Sequence, residues 1–310
     1  MSQPVSDGLL QLVRRCNSFS VKDSVKTCKK FFVEGKQVGL IRSSFGEQMK
    51  KFPDTFTFSP DGQEIHLSDS LTTVEQRTDN LDAVLQKLRQ DHTFMGLRGW
   101  RDEKYDVRQK YEDKTLLRME RSATCMRFLD ALFGVLQYGT HINGYTYRKD
   151  GQMMMWIARR SPTKPTWPGK LDNMCAGGLA SGLDVLTCAK KECEEEASVS
   201  SEQLEKLKAV GTISYFYQDE RGLFPETQFL FDLELPSDFT PVNADGEVAG
   251  FQLLSIPEVR KLIVSDSFKP NCALVIMDFL IRWGFVSADN EPHYAMLVEG
   301  LHYPLQSVYS

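Results

Sequence analysis

The stretch that most constrains this chain covers residues 177–199, GGLASGLDVLTCAKKECEEEASV. Glu192, Glu195 and Glu196 stand at i, i+3 and i+4. On a helix that spacing sets three carboxylates on one face, within reach of one another. The nearest cations in sequence are Lys190 and Lys191. Like charges this close repel, a poor arrangement for stability alone. A divalent cation resolves the conflict, because Mg²⁺ or Mn²⁺ takes oxygen ligands. The competing reading is a solvated acidic face, the ordinary role of a Glu run on a helix. The residues upstream favour the cation. Met174-Cys175-Ala176 is a short apolar run, Gly177-Gly178 opens a turn and Gly182 extends it. A strand ends, a glycine loop lets backbone approach a ligand, and a helix begins.

These residues resemble the Nudix box, G-x5-E-x7-R-E-U-x-E-E-x-G-U, where U is bulky and apolar. Gly177 takes the first glycine, Lys191-Glu192-Cys193-Glu194-Glu195-Glu196 takes R-E-U-x-E-E, and Val199 takes the last U. Leu183 stands where the first Glu belongs, with Asp184 beside it; Lys191 replaces Arg, and Ser198 replaces the late Gly. The resemblance implies that Glu192, Glu195 and Glu196 are metal-binding and catalytic, with Mg²⁺ as the cofactor and Mn²⁺ as a substitute. It also implies a further carboxylate from a later loop. Glu247, in the turn Ala244-Asp245-Gly246-Glu247, is the candidate, and Glu226 is its rival. The missing first Glu is a supporting residue in the pattern, so its loss bears on loop geometry. Ser198 bears on how the helix ends, since Gly is the easy residue for a left-handed cap.

The 310 residues have room for two modest domains, and 41% hydrophobic with 25% charged residues is ordinary globular composition. A net charge of −5 argues against a nucleic-acid or membrane-surface binder. It leaves room for a small organic diphosphate met by a local basic cluster. Seven scattered cysteines with no CxxC pair read as reduced thiols of a cytoplasmic protein. Cys193 reads as buried packing. No apolar run is long enough for a membrane span, and the N-terminus does not read as a secretory signal. Asp7 and Asp23 weigh against an organelle transit peptide without excluding one.

Residues 1–30 read as helix, 31–41 as a hairpin, and 44–51 as a helix. A strand pair at 56–58 and 65–67 turns at Pro60-Asp61-Gly62. Residues 73–91 carry one apolar helical face. Trp100, His141, Asn143 and Tyr145 could form a substrate-facing wall, but Gly139 and Asn143-Gly144 are turn signals that favour a hinge. Residues 153–158 read as a buried strand. Residues 159–170 follow with four cations and three prolines, leading to the acidic box. Cations suit phosphate oxygens and prolines limit loop freedom, so Arg159, Arg160, Lys164 and Lys170 are candidate diphosphate ligands beside Gly177 and Gly178. The alternative is a solvated surface loop. Trp167 could stack on an aromatic ligand or pack between domains. Strands at 210–218, 227–235 and 248–254 and helices at 257–264 and 271–285 follow. The tail beyond 292 carries no clear pattern.

GWRxExY at 99–105, YGxHxNGY at 138–145, WIxRRSxTKPTxPGxLDN at 156–173 and residues 268–275 together resemble a Nudix subfamily related to thiamine pyrophosphokinase. The resemblance covers nearly the whole chain. It implies an α+β protein: a companion domain over about residues 1–145 and a Nudix αβα sandwich with a mixed sheet over 146–310. It further implies Mg²⁺-dependent hydrolysis of a thiamine diphosphate-type compound, including oxidised or damaged forms, to the monophosphate and phosphate. The alternatives are an ADP-ribose or other nucleoside diphosphate hydrolase, and a non-catalytic Nudix binding module. Oligomeric state is not legible in the sequence.

Overall fold

The computed structural model describes residues 3–90, 104–120 and 129–309. The chain opens with α1 (Gln3–Cys16) and α2 (Val21–Thr27). β1 (Cys28–Val33) and β2 (Lys36–Arg42) form an antiparallel hairpin. Its turn residues Glu34 and Gly35 both have positive φ, the backbone a tight hairpin turn demands. Then come α3 (Ser43–Met49), β3 (Phe56–Phe58), β4 (Glu64–Leu67) and α4 (Val74–Gln90). The four strands order as β2-β1-β4-β3. α4 closes them with Leu81, Val84, Leu85 and Leu88, all in one core with Phe31, Ile41 and Ile65. A second hairpin, β5 (Lys104–Val107) and β6 (Leu117–Glu120), joins that core through Val107, Leu117 and Met119.

The chain then changes sheets. After α5 (Leu129–Phe133) come β7 (Gln137–Tyr147), β8 (Met153–Arg160), β9 (Leu171–Asp172) and β10 (Cys175–Gly178). α6 (Val185–Ala197) and α7 (Ser201–Leu204) precede β11 (Lys208–Asp219), β12 (Gly222–Glu234) and β13 (Val248–Ser255). α8 (Ile256–Leu262), α9 (Pro270–Arg282) and α10 (Tyr294–Gly300) complete the chain. The large sheet runs β11-β12-β7-β8-β13 and is mixed, because β12 lies parallel to β7 and the other pairs are antiparallel. One face carries α6 over Ile142, Met174, Cys175 and Phe231. The other carries α9 over Tyr145, Ile157, Tyr215 and Leu230. The result is the α+β sandwich expected. α1 belongs to this second layer, since Leu9, Leu12 and Val13 share the core of α9. The division expected after residue 145 falls inside β7.

β7 and β8 pair only from Tyr145↔Met155 to Tyr147↔Met153 and then diverge. The gap is filled from both sides, by β10 on β7 and β9 on β8. This fork places Ala176, Gly177 and Gly178 beside β7, at the point where α6 packs.

One expectation is corrected here. Gly139 and Asn143-Gly144 sit in the middle of β7 and turn nothing. These glycines serve close approach instead. A Cβ at Gly144 would lie 2.1 Å from Met174 Sδ, and one at Gly139 would lie 2.9 Å from the Gly177 carbonyl oxygen. His141, Asn143 and Tyr145 are buried in the same strand, so they form neither a hinge nor an open wall. Trp100 lies outside the described residues. The tail has more structure than its sequence announces: the Tyr309 hydroxyl donates to the Gly134 carbonyl at 2.6 Å, and the Gln37 amide donates to that of Val308 at 3.1 Å. The described cysteines, Cys16, Cys28, Cys175, Cys188, Cys193 and Cys272, are free and buried. Among the described residues no helix is long and apolar enough to cross a membrane.

Gly144→Ala therefore overpacks the β7–β10 fork without straining a turn. The expected loss is about 1–3 kcal/mol of folding stability, read from the shift in urea midpoint. A wild-type midpoint would show that Met174 yields freely.

Candidate active site

α6 is built to hold its acidic end against the sheet. Asp184 caps its N-terminus, accepting from the Thr187 amide at 2.9 Å. Cys188, Ala189, Cys193 and Ala197 form its buried stripe. That phase turns Glu196 inward with them. Its side chain is 7% exposed, and its Oε2 accepts from the Ala176 amide at 2.8 Å. Burial first, and Glu192 second, push its carboxyl up to about 8. Glu192 crosses Gly177 so closely that a Cβ there would lie 2.1 Å from its carboxyl carbon. A side chain at this position would displace the Glu192 carboxylate.

The second half of the site comes from the turn before β13. Carboxylate oxygens of Glu196, Asp245 and Glu247 lie within 4.8 Å of one another. Glu247 also pairs with Lys164. The register of β13 on β8 explains that pair: Val248 faces Arg160, and the Ser161 amide donates to the Glu247 carbonyl at 2.9 Å. Three contacts tie this turn to the end of α6. The Val242 amide donates to Ala197 at 3.2 Å, the Ala244 amide to Glu195 at 3.3 Å, and the Ser198 hydroxyl to the Val242 carbonyl at 2.8 Å. All-carboxylate donors around a desolvated acid suit a hard divalent cation. Glu192, Glu196, Asp245 and Glu247 are the groups that could hold it.

The other expected residues are placed differently. Glu195 is about half exposed and pairs with Lys191 at 3.3 Å, outside the three-carboxylate cluster. Glu226 lies under α9, accepting from the Tyr215 hydroxyl and the Gln228 amide, each at 2.8 Å, on the sheet face away from α6. Arg160 binds Asp172 at 2.8 Å and the Thr166 and Trp167 carbonyls, so it shapes its own loop. Arg159 is exposed and donates to the Gly169 carbonyl at 2.9 Å. Lys170 reaches the Asp266 carbonyl. Trp167 has a φ of 52°, uncommon for a bulky residue, and lies under Arg15 at 5.8 Å. Gly178 pairs with Gly139 at the end of β10. Asp245 was missed by sequence reasoning; its signal was a second carboxylate two residues before Glu247 in the same turn.

A second buried set, His141, Asp172 and Cys272, also lies within 4.8 Å. Asp172 is already paired with Arg160 and with Lys269, the latter at 3.7 Å, and their charges hold its carboxyl below the usual range. His141 Nδ1 is bonded to Asn173 at 2.8 Å. In this set two cations already meet the one carboxylate, which leaves no call for a further one.

A model described as "NUDIX domain" matches residues 138–272, and one described as "Domain of unknown function (DUF4743)" matches residues 8–137. A relative from Arabidopsis thaliana, "Nudix hydrolase 24, chloroplastic", is 37% identical over 284 residues, covering 91% of this chain and 74% of its own. The chain belongs to the Nudix hydrolase family. A second relative from the same plant, "Nudix hydrolase 20, chloroplastic", is 37% identical over 291 residues, covering 91% of this chain and 75% of its own. Among solved structures, the NUDIX domain of Shewanella oneidensis NrtR complexed with ADP ribose matches 50% of this chain and 91% of that one. Identity there is 13%, with a TM-score of 0.39. As a family member the chain is a Nudix-type diphosphate hydrolase, and Nudix hydrolases use divalent cations.

The departure of the box at Ser198 now has a local account. Ser198 takes the left-handed conformation, with φ 53°, and its amide and that of Val199 close α6 on Glu194 and Cys193. A non-glycine residue there costs about 1–2 kcal/mol. Its hydroxyl, however, holds the turn that carries Asp245 and Glu247. Ser198→Gly relieves the strain and loses the hydrogen bond, so folding stability stays within about 1 kcal/mol of wild type. Mn²⁺ affinity falls, because the turn is released. Ser198→Ala loses both stability and affinity. Urea titration separates the two variants, and Mn²⁺ calorimetry reads a fall in both.

Glu196 also sets a pH trend in metal-free protein. Its folded value near 8 stands above its ordinary 4.5, so between those values the folded state binds more protons than the unfolded one. Its contribution to stability is complete below about 4.5 and is lost as pH rises through about 8. Urea midpoints measured in chelator should fall across that window, and Glu196→Gln should flatten the fall.

Proposed function

We propose that the chain is a Mg²⁺-dependent pyrophosphohydrolase that cleaves thiamine diphosphate-type compounds to the monophosphate and phosphate. Oxidised or damaged forms, such as oxo- and oxythiamine diphosphate, are the preferred substrates. The observation that carries the hydrolytic reading is the buried Glu196 carboxyl, gathered with Asp245 and Glu247 beside Lys164. The subfamily pattern at 138–145, 156–173 and 268–275 supports the substrate class.

In this reading Glu192, Glu196, Asp245 and Glu247 hold the cation, with Glu195 at their margin. Mg²⁺, when bound, lowers the pKa of a water and offsets charge on phosphoryl oxygens. Lys164 steadies Glu247 and adds positive charge where the diphosphate enters. Arg159, exposed at the end of β8, suits a phosphate by its two-pronged donor geometry. Arg160 and Lys170 fix the loop that presents them. A water oxygen bonds to one phosphorus as the bridging P–O bond breaks, and the released proton passes to a carboxylate. Glu195 is our assignment for that acceptor, since it is solvated and lies outside the tight cluster.

Product release with Mg²⁺ tests this, read as orthophosphate from thiamine diphosphate and its oxo and oxy forms and as AMP from ADP-ribose. Orthophosphate should appear from the thiamine compounds, fastest from the damaged ones. Glu195→Gln should lower kcat by about 10²-fold or more yet keep Mn²⁺ binding, whereas Glu196→Gln should lose both. Cleavage of ADP-ribose alone would discard the substrate class, and Mn²⁺ binding without any turnover would discard hydrolysis.

A further inference from the structure

The glycine loop between β10 and α6 is not held by its own residues alone. Leu183 occupies the place of the supporting Glu of the box and offers no polar group there. Support arrives instead from the companion half. The Ser181 hydroxyl donates to Asp106 Oδ1 at 2.7 Å, and Arg118 Nε donates to the Ser181 oxygen at 3.2 Å. The Ser181 amide donates to the Lys104 carbonyl at 2.8 Å. Lys104, Asp106 and Arg118 all lie on the β5–β6 hairpin, where Asp106 faces Arg118 across the ladder. Asp106 is further fixed by Arg108 at 2.8 Å.

The hairpin is itself fastened to α4. Lys104 pairs with Asp82 at 2.7 Å, and the Arg118 amide donates to the Thr78 hydroxyl at 3.0 Å. A continuous chain of contacts thus runs from α4 through the hairpin to Ser181. From Ser181 the backbone passes Gly182, with φ 86°, and reaches the Asp184 cap of α6 three residues on. The strand that feeds this loop carries Gly177, against which Glu192 packs.

We propose that the β5–β6 hairpin is a positioning element for the acidic helix, acting through Asp106, Arg118 and Ser181 on the glycine loop in place of the missing Glu. The companion half then contributes to the reaction without touching substrate. This rests on the acidic cluster being the reacting centre.

The test uses the full chain with Ser181→Ala, Asp106→Asn and, as a conservative rescue, Ser181→Thr. Ser181 is half-buried at the loop surface, so its truncation leaves both cores intact. Amide exchange over residues 179–183 should quicken by about tenfold in Ser181→Ala and Asp106→Asn. Mn²⁺ affinity and kcat should fall by about ten- to a hundredfold at an unchanged melting temperature, since small misplacements carry that cost. Ser181→Thr should restore all three, and the double variant should be no worse than the worse single, as residues acting through one contact are not additive. Unchanged loop exchange overturns the inference, and so does faster exchange with wild-type kcat and Mn²⁺ affinity. If wild type cleaves no diphosphate, the hydrolase reading fails on its own, and Mn²⁺ affinity in Ser181→Ala still decides: weaker supports positioning, unchanged overturns it.

Discussion

The arrangement of the larger half follows from one costly burial, that of the Glu196 carboxyl. An acid removed from water beside a second carboxylate is tolerated only where something compensates. Here the Ala176 amide meets one oxygen, and the turn before β13 brings two more carboxylates where a cation would bind all three. The fork between β7 and β8 exists at that place. It lets β10 enter, supplies the amide, and sets glycine where Glu192 needs room. A continuous β7–β8 ladder would leave neither the amide nor the space.

The order of elements was legible because each has its own period. The acidic face was legible because i, i+3 and i+4 spacing fixes a helical side. What that spacing could not say is which carboxylate turns inward. Buried Cys193 and Ala197 settle the phase, and they bring Glu196 with them while Glu195 stays outside. The mid-strand glycines were misread because a glycine that turns a chain and one that admits a neighbour look the same in sequence. Gly144 differs only through Met174, thirty residues away. Arg160 and Lys170 pose a similar ambiguity. A cation near an acidic box can face a ligand or tie down its own loop, and only the carbonyls of Thr166, Trp167 and Asp266 distinguish the two.

Two of the three departures from the box share a logic. Ser198 and Leu183 each abandon a residue that would serve the motif locally, and each site is held from outside. At Ser198 the strain of a side chain in the left-handed region comes with a hydrogen bond to the turn of Asp245 and Glu247. At Leu183 a lost carboxylate is matched by one from the hairpin, seventy-five residues before Ser181. Motif and surroundings have exchanged duties, so a reading confined to the motif would call both positions defects.

The buried thiols carry a consequence of a different kind. A cysteine reacts as thiolate, and burial opposes that form. Cys16 is pushed up to about 12, and Cys28, Cys175 and Cys272 are raised as well. At neutral pH the Cys16 thiol is then almost wholly protonated. Cys175 and Cys193 lie in the core shared by β10 and α6, directly beneath the carboxylates. Electrophiles and peroxides that disable enzymes by attacking an exposed sulfur find little purchase on the described cysteines of this fold. The chemistry proposed here, carried by oxygen ligands, does not draw on the described thiols.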